Sequence, residues 1–101
     1  MSDAKITADG EGQYAVSGEL SFRTVPDLLR QGERLFEGCS AFVLDLKGVS
    51  RADSAGLALL LEWLRRCRRR RQDLFFRNLP QALMEIARVS NLDEVFGRLS
   101  R

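Results

Sequence analysis

Asp53 and Ser54 are the residues whose types and setting come nearest to chemistry. They lie in "RADSAGLALLLEWL", residues 51–64. A carboxylate and a hydroxyl stand just ahead of Ala-Gly and a leucine-rich segment. Either side chain can accept from the free N–H groups of a helix start, so capping is the ordinary role of such residues. The same place also suits a ligand or a partner. A helix N-terminus attracts anions, including a phosphate carried by Ser54 itself. Nucleophilic catalysis is disfavoured: "DSAG" is not G-x-S-x-G, and the chain has no His to serve as a base or a metal ligand. Cys39 and Cys67 lack metal-ligand spacing, and the carboxylates are scattered. The glycines form no phosphate-cradling pattern. The expectation is a non-enzyme with no metal and no cofactor.

A second feature is "RRCRRRR", residues 65–71. Without its six arginines the net charge of +2 would fall to −4, so the rest of the chain is acidic. Cations at a helix C-terminus favour the dipole, and a solvated helix end is the plain reading. The sharper reading is a patch for nucleic acid, lipid head groups or an acidic partner. No aromatic residue interleaves with the run, which argues against nucleic acid.

These features need elements to hold them. The length, 101 residues, fits one domain over 1–101. Hydrophobic content of 45% with 30% charged residues indicates a soluble globular protein. No apolar run approaches the ~20 residues of a membrane span, and "MSDAKITADG" lacks a signal-peptide core. With only two cysteines, a reducing cytoplasm is the default.

"KITADG" and "QYAVSGELSF" read as a hairpin turned at "DGEGQ". "TVPDLLRQGERLFEG" reads as a helix, with Thr24 as N-cap, Pro26 in the first turn and an unfavourable Gly32 in the middle. "AFVLDL", Ala41 to Leu46, reads as a strand. A helix follows from about Leu57 to Arg69. Leu57, Leu60, Leu61 and Leu64 form its apolar arc, Trp63 and Cys67 lie at the edge, and Leu59 points outward among Glu62, Arg66 and Arg70. "DLFFRNL" reads as a strand and "LPQALMEIARVSNL" as a helix opened by Pro80, with "DEVFGRLSR" closing the chain. The order β-β-α-β-α-β-α predicts an α/β fold, a mixed sheet of four to five strands with helices packed mainly on one face.

"GELSFRTVPDLLRQGERL", "FVLDLKGVSRADSAGLALLLEWLRR" and "LFFRNLPQALMEIARVSNL" together resemble the STAS domain family. The most specific part is a strand ending in D-L-x-x-V, then D-S-x-G-L and an amphipathic helix. The resemblance implies a binding module. In anti-sigma factor antagonists of this family, a phosphorylated Ser or Thr immediately precedes the motif Gly, and here that position is Ala55. "VSRADSAGLALLLEWL" is more similar to the small cytoplasmic STAS subunit of the Mla phospholipid ABC transporter of Gram-negative bacteria. There the hydroxyl residue after Asp, here Ser54, lies in the surface that docks on the transporter's ATPase subunit. The resemblance thus implies a partner-binding surface of Arg51, Asp53, Ser54, Ala55, Gly56, Leu57, Leu59 and Trp63. It also implies a cytoplasmic protein held at the inner membrane through its partner, and an antagonist of an anti-sigma factor kinase is the alternative.

Overall fold

A computed structural model describes residues 4–101; Met1 to Asp3 of the expected domain lie outside the described residues. β1 (Lys5–Ala8) and β2 (Gln13–Leu20) pair antiparallel, with Lys5 opposite Ser17 and Ala8 opposite Tyr14. α1 (Val25–Leu35) leads to β3 (Ala41–Ala52), which lies parallel to β2. α2 (Ser54–Arg69) leads to β4 (Asp73–Arg77), parallel to β3. α3 (Gln81–Val89) and the short α4 (Asp93–Arg98) complete the chain. The strand order is β1-β2-β3-β4. The expected α/β fold with a four-stranded mixed sheet is the one found, and the closing segment is a separate helix.

Alternation assigns the layers. Ile6, Val16, Leu20, Phe42, Leu44, Leu46, Leu74 and Phe76 are buried, while Ala15, Val43, Asp45 and Phe75 between them stay half-exposed. Side chains on one face of a strand recur every second residue, so one face of the sheet carries the helices and the other remains open. On the open face the Arg101 guanidinium lies 3.8 Å above the Phe75 ring. Both outer edges are occupied in part. Ile6 N donates to Gln31 Oε1 of α1 at 2.8 Å, and Arg101 N donates to Phe76 O of β4 at 2.7 Å.

β3 runs to Ala52, well beyond the expected end at Leu46. Its second half pairs only with β2, through two register shifts that bring Ser17 opposite Gly48 and Leu20 opposite Ala52. Irregularities of this kind break the period-two pattern, and "KGVSRA" therefore reads as loop in the sequence.

The buried stripe of α2 differs from the leucine arc. Gly56, Leu59, Leu60, Trp63 and Cys67 face the core with Leu57 at the margin, while Leu61 and Leu64 are only half-buried. The helix is rotated roughly a quarter turn from the orientation that leucines alone suggest. Leu59, expected outside, is 1% exposed. The cause is the width of what the core accepts: an indole, a thiol and a glycine share its centre with two leucines.

Gly32 accounts for that choice. A Cβ at Gly32 would lie 2.8 Å from Trp63 Nε1 and 2.9 Å from Phe36 Cε2. The gap left in α1 admits the indole, and Phe36 in turn stacks on Phe42 with ring centroids 4.4 Å apart. Trp63 Nε1 is buried with no acceptor among the described residues. A glycine that weakens α1 as a helix thus strengthens its contact with α2. Gly32→Ala is expected to destabilise the fold although Ala is better in a helix by about 1 kcal/mol. Overpacking costs about 1–3 kcal/mol, which the propensity gain offsets in part, so a net loss of up to about 2 kcal/mol should lower the melting temperature by up to about 10 °C. An unchanged or raised melting temperature would show that the indole yields at little cost.

Candidate functional site

The β3–α2 junction sits at the carboxyl end of the parallel strands, where sheets of this kind place their binding loops. Three contacts fix it. Asp53 N donates to Leu20 O of β2 at 3.1 Å, which ties the loop to the neighbouring strand. Asp53 Oδ1 accepts from Ala55 N at 2.8 Å, with the extended backbone of an N-cap. Gly56 then lets the first turn press on β2, since a Cβ there would lie 2.9 Å from Leu20 Cβ and 3.1 Å from Leu20 O.

Asp53 is therefore the cap, and Ser54 is the first helical residue. Ser54 is exposed, and its hydroxyl makes no hydrogen bond within the described residues. Of the other expected site residues, Arg51 is exposed and stands opposite Glu19 of β2, and Ala55 is half-buried. Gly56, Leu57, Leu59 and Trp63 are buried. These four residues shape the surface from beneath. The expected apolar contribution of Leu57, Leu59 and Trp63 to a docking face is corrected accordingly. The outward face of α2 carries Ser54, Ala58 and Leu61, with Ala58 exposed and Leu61 half-buried.

The β2–α1 loop completes the surface, and it holds the residue that sequence reasoning missed. Phe22 is 75% exposed, one of two large apolar side chains left so open among the described residues. Alternation from Val16 and Leu20 would carry Phe22 inward, but β2 ends at Leu20 and Phe22 belongs to the turn that follows, so its exposure has no signal in the strand period. Thr24 stands at the N-cap position of α1, yet its hydroxyl makes no cap bond to that helix. It accepts from Ser21 N at 3.0 Å and lies 2.6 Å from Glu19 O, folding the loop back on itself. Ser21 Oγ donates to Glu19 Oε2 at 2.7 Å, and Arg23 Nη2 reaches the same oxygen at 3.4 Å. Hydrogen bonds from Ser21 and then Arg23 hold the Glu19 carboxyl below the usual carboxylate range. Between the loops lies a cleft of only about 70 Å³, bordered by Glu19, Ser21, Arg51 and Asp53. It is far smaller than the pockets that enclose small-molecule ligands, and the arrangement suits recognition by surface contact.

The thiols lie elsewhere. Burial pushes the Cys67 thiol up to about 11, and Cys39 lies 3.4 Å from the Tyr14 hydroxyl. Tyr14 OH donates to Leu35 O at 2.9 Å, and its pKa is pushed up to about 12, first by the bond with Cys39 and then by burial. These groups tie α1 to the sheet.

The family described as "Mlab, STAS domain" matches residues 6–99, and the chain belongs to this STAS family. Two solved structures share the fold. One is the anti-sigma factor antagonist SpoIIAA in its unphosphorylated form, with a TM-score of 0.70 at 15% identity, covering 97% of this chain and 85% of that one. The other is a sulfate transporter family protein from Wolinella succinogenes, with a TM-score of 0.70 at 20% identity, covering 93% and 80%. No curated protein matches the chain in sequence.

The division of labour between the two neighbouring side chains can be tested directly. Asp53→Ala should cost ~1 kcal/mol of stability through loss of the cap. Ser54→Ala should stay within about 0.5 kcal/mol, as an exposed substitution. Thermal melts of the two variants decide it, and equal losses would return a capping role to Ser54.

Proposed function

We propose that this chain is the non-catalytic STAS subunit of a Gram-negative phospholipid ABC transporter. It binds the cytoplasmic ATPase subunit through the Ser54 end of α2 and supports that subunit's assembly and activity in keeping the outer membrane's lipids asymmetric. The observation that carries this reading is the free hydroxyl of Ser54. Asp53 does the capping, so nothing in the fold requires a hydroxyl at the next position. Phe22, in the loop that follows Leu20 of the neighbouring strand β2, supplies an exposed aromatic of the kind that anchors interfaces. The match to the family described as "Mlab, STAS domain" supports the transporter class. The contact residues in this reading are Phe22, Arg51, Ser54, Ala55 and Ala58, with Asp53 and Gly56 positioning them. The protein is then cytoplasmic and peripheral to the inner membrane through its partner. An anti-sigma factor antagonist of the same family uses a phosphoacceptor where this chain has Ala55, which sets that alternative second.

Ser54→Asp separates folding from docking. A carboxylate is welcome at a helix N-terminus, so the melting temperature should stay near the parent's. In a packed interface the added charge must lose its water, and affinity for the ATPase should fall by ~30-fold or more. Phe22→Ala should weaken binding in the same direction. Co-purification with the tagged protein identifies the partner: an ABC ATPase supports the proposal, and a histidine-kinase-like anti-sigma factor replaces it. Parent-like affinity of both variants would move the docking surface elsewhere.

A further inference from the structure

The C-terminal end of α2 carries charge that the fold does not use. Arg65 and Arg66 are engaged, Arg65 with Glu62 at 2.8 Å and Arg66 with Glu62 at 2.8 Å and Glu33 at 3.2 Å. Arg68, Arg69, Arg70 and Arg71 are exposed, and none forms an ion pair among the described residues. Arg71 has a positive φ of 58° at the left-handed position that ends the helix, where Gly is the favoured residue. The helix closes there through Gln72 N donating to Cys67 O at 2.8 Å. Four cations therefore crowd one helix end, and one of them occupies a backbone conformation that disfavours it.

Their surroundings differ on the two sides. Arg70 and Arg71 border an open groove together with Arg34, Glu33 and Glu37. Arg68 borders a second groove of about 270 Å³, whose walls include Leu64, Leu74, Phe75, Val95 and Leu99, with Asp73 at its rim. Phosphate chemistry and hydrocarbon chemistry thus meet at one edge. Arg presents a planar fork that matches phosphate oxygens, and the adjoining apolar groove offers surface to acyl chains.

We propose that the Arg68–Arg71 end of α2 binds the surface of an anionic phospholipid bilayer. Nucleic acid fits less well, because the aromatic that borders the Arg68 groove, Phe75, is covered by the Arg101 guanidinium and the remainder of the chain is negatively charged. An acidic protein would use the arginines and leave the apolar groove unused. The site lies at the far end of α2 from Ser54. A helix of 16 residues spans about 24 Å, so both ends can be occupied together. The proposal does not depend on the identity of the partner at the Ser54 end.

Vesicle flotation tests it with the full chain. Vesicles of pure phosphatidylcholine should not bind, and vesicles of phosphatidylcholine and phosphatidylglycerol in equal parts should. Each arginine near an anionic surface contributes about 1 kcal/mol, a factor of roughly five, so Arg69→Gln combined with Arg70→Gln should weaken binding roughly 25-fold. Raising salt should weaken the parent's binding further, since exposed charges are screened. Ser54→Asp should bind these vesicles like the parent, which keeps this test separate from docking on the ATPase. Failure to bind the anionic vesicles overturns the proposal. So does equal binding to both vesicle types, or parent-like binding by the double variant at an unchanged melting temperature. Displacement from the vesicles by polyglutamate or duplex DNA at equal charge concentration would reassign the patch to a soluble polyanion.

Discussion

The contact between Gly56 and the end of β2 fixes the position of everything at the carboxyl end of the sheet. With no Cβ at Gly56, the first turn of α2 lies directly on Leu20, and the Asp53 N–H reaches the Leu20 carbonyl from the same place. Two strand ends and one helix start are thereby pinned to a single residue of β2. Ser54 has no freedom to turn inward, because the residues on either side of it are committed, Asp53 to capping and Ala55 to receiving the cap. The adjoining loop takes its own course from the same strand, since Ser21 and Phe22 follow Leu20 directly. Rigid backbone beneath and free side chains above are what a pre-organised docking surface requires.

The sequence revealed the order of elements because strands and helices here keep their own periods. Alternation in "AFVLDL" survives in the structure, "QYAVSGEL" keeps Val16 and Leu20 inward despite its two register shifts, and "GLALLLEWL" forms the expected helix. The rotation of α2 was hidden. A count of leucines weighs Trp63, Cys67 and Gly56 too little, although these three sit in the buried stripe and two of the leucines lie at its margin. The second half of β3 was hidden for a different reason: its polar residues pair on one side only, so no hydrophobic pattern marks it as a strand. At the site, Asp53 and Ser54 were visible as a pair and indistinguishable as individuals. Which of them caps is a matter of one backbone conformation, the extended one at Asp53, which residue types alone do not specify. Phe22 belongs to a loop separated by 31 residues from Ser54 in the chain, and its relation to the motif exists only through the β2–β3 pairing.

Charge is distributed along α2 in a way that matches its two ends. The first turn holds no basic residue and opens beside the Asp53 carboxylate, while its last turn holds Arg66, Arg68 and Arg69. Both assignments agree with the helix dipole, so the local electrostatics cost the fold little. Glu62 divides the basic stretch by holding Arg65 and Arg66, and the residues beyond it are left to solvent.

Gln31 and the last residues of the chain have an effect on the sheet's rim that reaches beyond folding. A strand at a sheet margin exposes a ladder on which any extended peptide can add itself, and long bare margins invite chain-to-chain growth. Here β1 is four residues long, and the amide of Ile6 is already satisfied by a side chain of α1. On the far side Leu99 O and Arg101 N both bond to Phe76, taking up part of the β4 margin. Copies of this chain brought close together thus offer one another little template for strand exchange. Specific assembly is left to side chains, and the backbone is withheld from it.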